Sequence, residues 1–170
     1  LEYASIRGRC ALSLAETLPP GRRKPLLRHV SRCASLLVRG ETPASHAWGA
    51  MLNAGAHWLD CGANVAAGIL PMERAVTTAE AAGTLLVAAC GRRHLGTILG
   101  GNRGRKMVED AVQWMTDQGV RNPERLSALL VPGFSASASA AGTQRPIAED
   151  GSGGPASAAP PTIRSRPIAP

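Results

Sequence analysis

Three histidine–cysteine pairs carry the residue types best suited to chemistry. His29 and Cys33, His57 and Cys61, and Cys90 and His94 each stand four residues apart. On a helix that spacing puts both side chains on one face, where they could ligate zinc or act as a base and a nucleophile. A metal site would need pairs from separate helices to converge. A Cys–His nucleophile would need a third group to orient the imidazole, and none is evident beside any pair. Cysteine is also a common core residue. The expectation is therefore thiols used as small buried hydrophobes, with no metal.

Other catalytic signatures are missing from the sequence. The run Gly100-Gly101-Asn102-Arg103-Gly104-Arg105 is glycine-rich and opens a helix. It lacks the Gly-Lys-Ser/Thr ending of a phosphate-binding loop, and helix precedes it where a strand should stand. It reads as an inter-helix turn. There is no kinase glycine-rich loop with its lysine, no His-Arg-Asp, no Asp-Phe-Gly and no Gly-x-Ser-x-Gly elbow. Glu109-Asp110 is the adjacent carboxylate pair of the helical region, and neighbours on a helix point apart. The chain is expected to be no enzyme and to hold no cofactor. Trp48, Trp58 and Trp114 read as core or groove-lining residues.

Composition narrows the class further. Of 170 residues 44% are hydrophobic but only 3% aromatic. A core of Ala, Leu, Val and Met suits close helix packing and gives strands little to pack with. The net charge is +7, from 19 basic and 12 acidic residues, and all the basic ones but Lys24 and Lys106 are Arg. They are spread over several helices, with the tightest run at Arg22-Arg23-Lys24. A solvated Arg-rich surface is the expectation. Nucleic acid is disfavoured, because no aromatic stacking platform accompanies the charge. No apolar run approaches the roughly 20 residues of a membrane span, and four separated cysteines with no signal peptide point to a reduced, cytoplasmic compartment.

Periodicity then supplies the elements that would position these residues. Apolar steps of three and four predict helices over 1–18 (stripe Tyr3, Ile6, Cys10, Leu14, Leu18), 23–39, 43–61, 64–82, 84–99 and 105–118. A short last helix follows from 123 to about 131. Pro19-Pro20-Gly21 should break the first from the second, with Pro25 in the second helix's first turn. Thr42 and Asn122 are candidate N-caps, each followed by proline. Pro71 should kink the fourth helix or delay its start. Gly83, with Ala75, Ala79, Ala81 and Ala82 before it, resembles the crowded helix contact of tetratricopeptide units. Gly119 suits a left-handed C-cap. Short turns between such helices predict an all-α fold of stacked antiparallel pairs, a tetratricopeptide-like helical repeat over residues 1–134. From 135 to 170 Ala, Ser, Gly and Pro dominate and periodicity stops, which predicts a disordered tail. Residues 1–7 already read as mid-helix, so the chain is expected to be a piece of a longer array or a mis-called start.

The closing stretch has a family resemblance. Trp114-Met115, Gln118-Gly119, Asn122-Pro123 and Arg125, ending in Pro132-Gly133-Phe134, resemble the extreme C-terminus of large bacterial serine/threonine protein kinases of the myxobacterial type. Arg7-Gly8-Arg9-Cys10-Ala11-Leu12 and Arg92-Arg93-His94-Leu95-Gly96, followed by Leu99-Gly100-Gly101, agree with helices of that family. The likeness covers about residues 1–134. In those proteins a kinase domain and a predicted ATPase precede a long tetratricopeptide-like region. None of their kinase or nucleotide-binding residues maps here. The resemblance implies a non-catalytic sensor or protein-interaction scaffold in signal transduction, bound to a protein partner or to upstream domains of the same polypeptide. The alternative is a stand-alone Arg-rich regulator that binds nucleic acid. In the closing motif Trp114 is expected to be largely buried. The last helix should fold back on the sixth, so that Leu126, Leu129 and Leu130 cap the core.

Overall fold

The computed structural model describes residues 2–134. The described chain is all-helical: α1 (Glu2–Thr17), α2 (Pro20–Val38), α3 (Pro43–Asp60), α4 (Val65–Ala81), α5 (Leu85–Leu99), α6 (Gly101–Asp117) and α7 (Pro123–Leu130). The helices are joined by connections of one to five residues, and those before α2 to α6 return each helix along its predecessor. From α1 to α6 every helix packs on the next; α1 also touches α3, and α7 lies chiefly on α5. The result is the expected stack of helix pairs. The proposed tail, 135–170, lies outside the described residues.

Local chemistry sets several of the boundaries. The hydroxyl of Thr42 accepts from the Ser45 N–H at 3.2 Å, and the side-chain oxygens of Asn64 and Asn122 accept from Ala67 N at 3.1 Å and Arg125 N at 2.8 Å. Each satisfies a donor that a helix N-terminus leaves open. Gly119 stands at φ 83, and the next residue, Val120, donates back to the Met115 carbonyl at 3.0 Å, closing α6 as a left-handed cap does.

Several expectations need correcting. α2 begins at Pro20, so Gly21 lies inside it and Pro25 stands beyond its first turn. Proline at the first helical position loses no bond, which lets the helix start earlier than the Pro-Pro-Gly run suggested. α4 starts at Val65 and continues through Pro71 to Ala81, so the proline does not delay the start of the helix; one missing N–H is tolerated in a helix packed on α3 and α5. Gly83 is not a crowded contact. It is a positive-φ residue at the end of α4 with open space where a Cβ would stand.

The crowding lies instead at Gly96 and Gly104, where α5 crosses α6. Gly100 alone forms the turn; the N–H of Gly104 already donates to the Gly100 carbonyl at 2.9 Å inside the first turn of α6. A methyl on Gly104 would overlap the Gly96 carbonyl oxygen, and one on Gly96 would stand 2.7 Å from the Gly104 oxygen. Both obstacles are backbone, so relief requires the helices to part. Gly104→Ala is expected to destabilise the chain by about 1–3 kcal/mol, although alanine is the better helix former. A urea unfolding midpoint equal to that of the parent chain would show that the crossing is looser than this.

Candidate functional site

Two features stand out: a buried polar knot that closes the stack, and surfaces the stack leaves uncovered. The knot is built by α5, α6, α7 and the segment after α7. Cys90, His94, Met115 and Ser127 are all buried. The Cys90 thiol donates to the Met115 sulfur at 3.9 Å, and the Ser127 hydroxyl donates to the Pro123 carbonyl at 2.7 Å while lying 4.0 Å from the same sulfur. Burial pushes the Cys90 thiol above its ordinary range. Burial, reinforced by the nearby Arg93 charge, pushes His94 down to about 4; the main chain of Ser127 opposes the shift.

After α7, residues Val131, Pro132, Gly133 and Phe134 turn inward and are buried. Gly133, at φ 109, brings the chain within 3.3–3.4 Å of Gly55 on α3, measured from where its Cβ would stand. Phe134 is 2% exposed. Its ring stacks on His94 at 5.1 Å and tilts against Trp58 at 5.9 Å. Residues 131–134 therefore bridge α3 and α5 across the interior. A neutral imidazole beneath a phenyl ring and a thiol of raised pKa suit packing, not nucleophilic chemistry.

The closing motif is thus placed residue by residue. Met115, Pro132, Gly133 and Phe134 are buried; Gln118, Gly119, Asn122 and Arg125 form an exposed turn; Pro123 opens α7. Trp114 is partly buried against the core and lines a groove between α5 and α6 beside Arg92 and Lys106, one of the two roles read for the tryptophans. The last helix differs from expectation. α7 rests mainly on α5, not α6, and Leu129 is 66% exposed while Leu126 and Leu130 are half-buried. The lid over the core is Phe134 and its neighbours. The geometry turns on contacts across distant sequence positions, which helical periodicity around Trp114 could not reveal.

The histidine–cysteine pairs do not assemble. Among the described residues no three His, Cys, Asp or Glu side chains gather as a metal site would require. His29 and Cys33 lie 3.6 Å apart, whereas Cys61 donates to the Trp58 carbonyl at 3.4 Å.

The uncovered surfaces begin with α1. Its buried side is Ser5, Gly8, Ala11, Leu12 and Ala15, packed on α2 and α3. The stripe expected to face the core is on the opposite side: Tyr3 is 71%, Ile6 51% and Leu14 52% exposed, and Cys10 is exposed with them. The two stripes are offset by two residues, about 200° around a helix. Ile6, Cys10 and Leu14 meet Leu129 and Pro132 in a groove of about 600 Å³.

A second groove, of about 650 Å³, runs between α2 and α3. Lys24, Arg28 and Arg32 line it from α2; Asn53, His57 and Asp60 line it from α3. The basic residues looked scattered in sequence. The signal that would have found the groove was their spacing of four in a stretch with no Asp or Glu. Among the described residues no helix is long and apolar enough to cross a membrane. Compared with family models, curated proteins and solved structures, the chain matches none of them.

Proposed function

We propose that the chain is a non-catalytic protein-interaction scaffold, a tetratricopeptide-like stack whose docking face is the outer side of α1. The observation that carries this reading is the second apolar stripe of α1. Tyr3, Ile6 and Leu14 leave a contiguous apolar strip in water, extended by Leu129, and such strips mark contact surfaces. The occupant that fits is another amphipathic helix, laid along α1 as α2 is laid on its other side. A partner protein or a preceding segment of a longer polypeptide would supply it. The resemblance to the C-terminal end of bacterial serine/threonine kinases agrees with that role and with a place in cytoplasmic signalling. Catalysis, in this reading, belongs to other domains.

Among the described residues nothing covers the face, so in isolation a second copy of the chain is its expected cover. Sedimentation equilibrium is expected to show self-association that strengthens with concentration. Ile6→Glu with Leu14→Glu should abolish it and leave helix content and melting temperature nearly unchanged, since both side chains already face water. A parent chain that stays monomeric at high concentration argues against the docking face.

A further inference from the structure

From the groove between α2 and α3 we infer a second docking site, which takes an acidic amphipathic helix laid along α2. Helix α2 with its cap residue carries Arg22, Arg23, Lys24, Arg28, Arg32 and Arg39 and no carboxylate. Setting those six aside leaves 13 basic residues against 12 acidic ones in the rest of the chain. Nearly the whole net charge of +7 therefore sits on one helix.

Lys24, Arg28 and Arg32 form a row at four-residue steps, each about 6 Å along the axis. All three are exposed, and none is in a salt bridge or other ion pair among the described residues. The next step of the same row is Leu36, 55% exposed. A helix with glutamates at every fourth position and an apolar residue one step further matches the row in period, charge and polarity. A phosphodiester backbone would match the cations but leave Leu36 without a partner. The one aromatic ring in the groove is the exposed imidazole of His57, a single small face with no Phe, Tyr or Trp beside it on which successive bases could stack. The hydroxyls of Ser31 and Ser35 donate to the carbonyls of Leu27 and Ser31, so neither is free to donate to phosphate. Asp60, in the same groove as Lys24, would repel a partner's carboxylates from one end of the row, centring them on Arg28 and Arg32.

This inference is separate from the α1 face and is tested apart from it. The probe is a fluorescein-labelled alanine-based peptide of roughly 16 residues, long enough to be partly helical. It carries glutamates at every fourth position and a leucine at the next step. Fluorescence anisotropy with the full chain is compared with a peptide of the same composition in scrambled order and with a labelled DNA duplex at equal salt. The ordered peptide is expected to bind more tightly than either. Arg28→Gln with Arg32→Gln should weaken it about tenfold, the scale of two exposed ion pairs, with far-UV circular dichroism unchanged. Ile6→Glu with Leu14→Glu should leave it unaffected. Scrambled peptide binding as well as the ordered one, tighter binding of DNA, an unaffected Arg28→Gln, Arg32→Gln variant, or no peptide binding at all would each overturn the proposal.

Discussion

Phe134→Ala should lower the unfolding free energy by about 3–5 kcal/mol. Phe134 is the one phenylalanine of the chain and is almost wholly buried. Its ring fills the space between His94 on α5 and Trp58 on α3. Truncation removes the apolar area of the ring and leaves a cavity that two rigid helices cannot collapse around, so both terms of a large-to-small substitution apply. It also frees residues 131–133, which hold α7 against the interior close to Gly55. A domain of this size has about 5–15 kcal/mol in all, so the variant should unfold at a much lower urea concentration. Leu129→Ala, at a mostly exposed position five residues earlier, should cost less than about 0.5 kcal/mol. If the two substitutions cost the same, residues 131–134 are not the lid over the core.

His94 should make the fold acid-sensitive in a defined window. Its ordinary pKa of 6.5 is pushed down to about 4 in the folded chain. Between those values the unfolded chain binds a proton and the folded chain does not. Stability is therefore fully present above pH 6.5 and falls as pH drops toward 4, below which both states are protonated and the loss levels off. The full difference is about 3 kcal/mol. The cause is specific: Phe134 covers one face of the ring, Nε2 is buried without a hydrogen-bond partner, and Arg93 adds an unfavourable charge. Measured against pH, the unfolding free energy of His94→Gln should fall less steeply than that of the parent chain over this window. Carboxylates titrate equally in both proteins, so the difference in slope isolates the histidine. Parallel slopes would mean that water reaches the ring.

What the sequence revealed tracks the range of the interaction. Thr42 and Asn122 are legible as caps because a side-chain oxygen and an N–H three residues on settle the matter locally. Gly119 is legible because a positive φ favours glycine wherever the chain lies. Gly104 was read as part of a turn because glycine runs weaken helices; packing of α5 on α6 overrides that preference, and only the partner helix reveals it. α1 has two apolar stripes, and nothing in its own sixteen residues says which one α2 and α3 will cover. The larger side chains drew the reading to Tyr3, Ile6 and Leu14. The tighter packing went to Gly8 and Leu12: a Cβ on Gly8 would collide with Leu52 and stand 3.3 Å from Cys33. Close helix approach favoured the smaller stripe. Phe134 was marked by resemblance alone, since its contacts with Trp58 and His94 join positions far apart in the chain.

Cys10 reports directly on the outer side of α1, the face proposed for docking. Its thiol is free and exposed in the groove with Ile6 and Leu14, while the half-buried Cys61, at the end of α3, serves as an internal reference. Alkylation of both thiols is followed by mass spectrometry as chain concentration rises. Cys10 is expected to slow relative to Cys61 as copies cover the face, and Ile6→Glu with Leu14→Glu should remove the slowing. A Cys10 rate that stays constant relative to Cys61 while the chain self-associates would contradict the docking face, because the contact would then lie elsewhere.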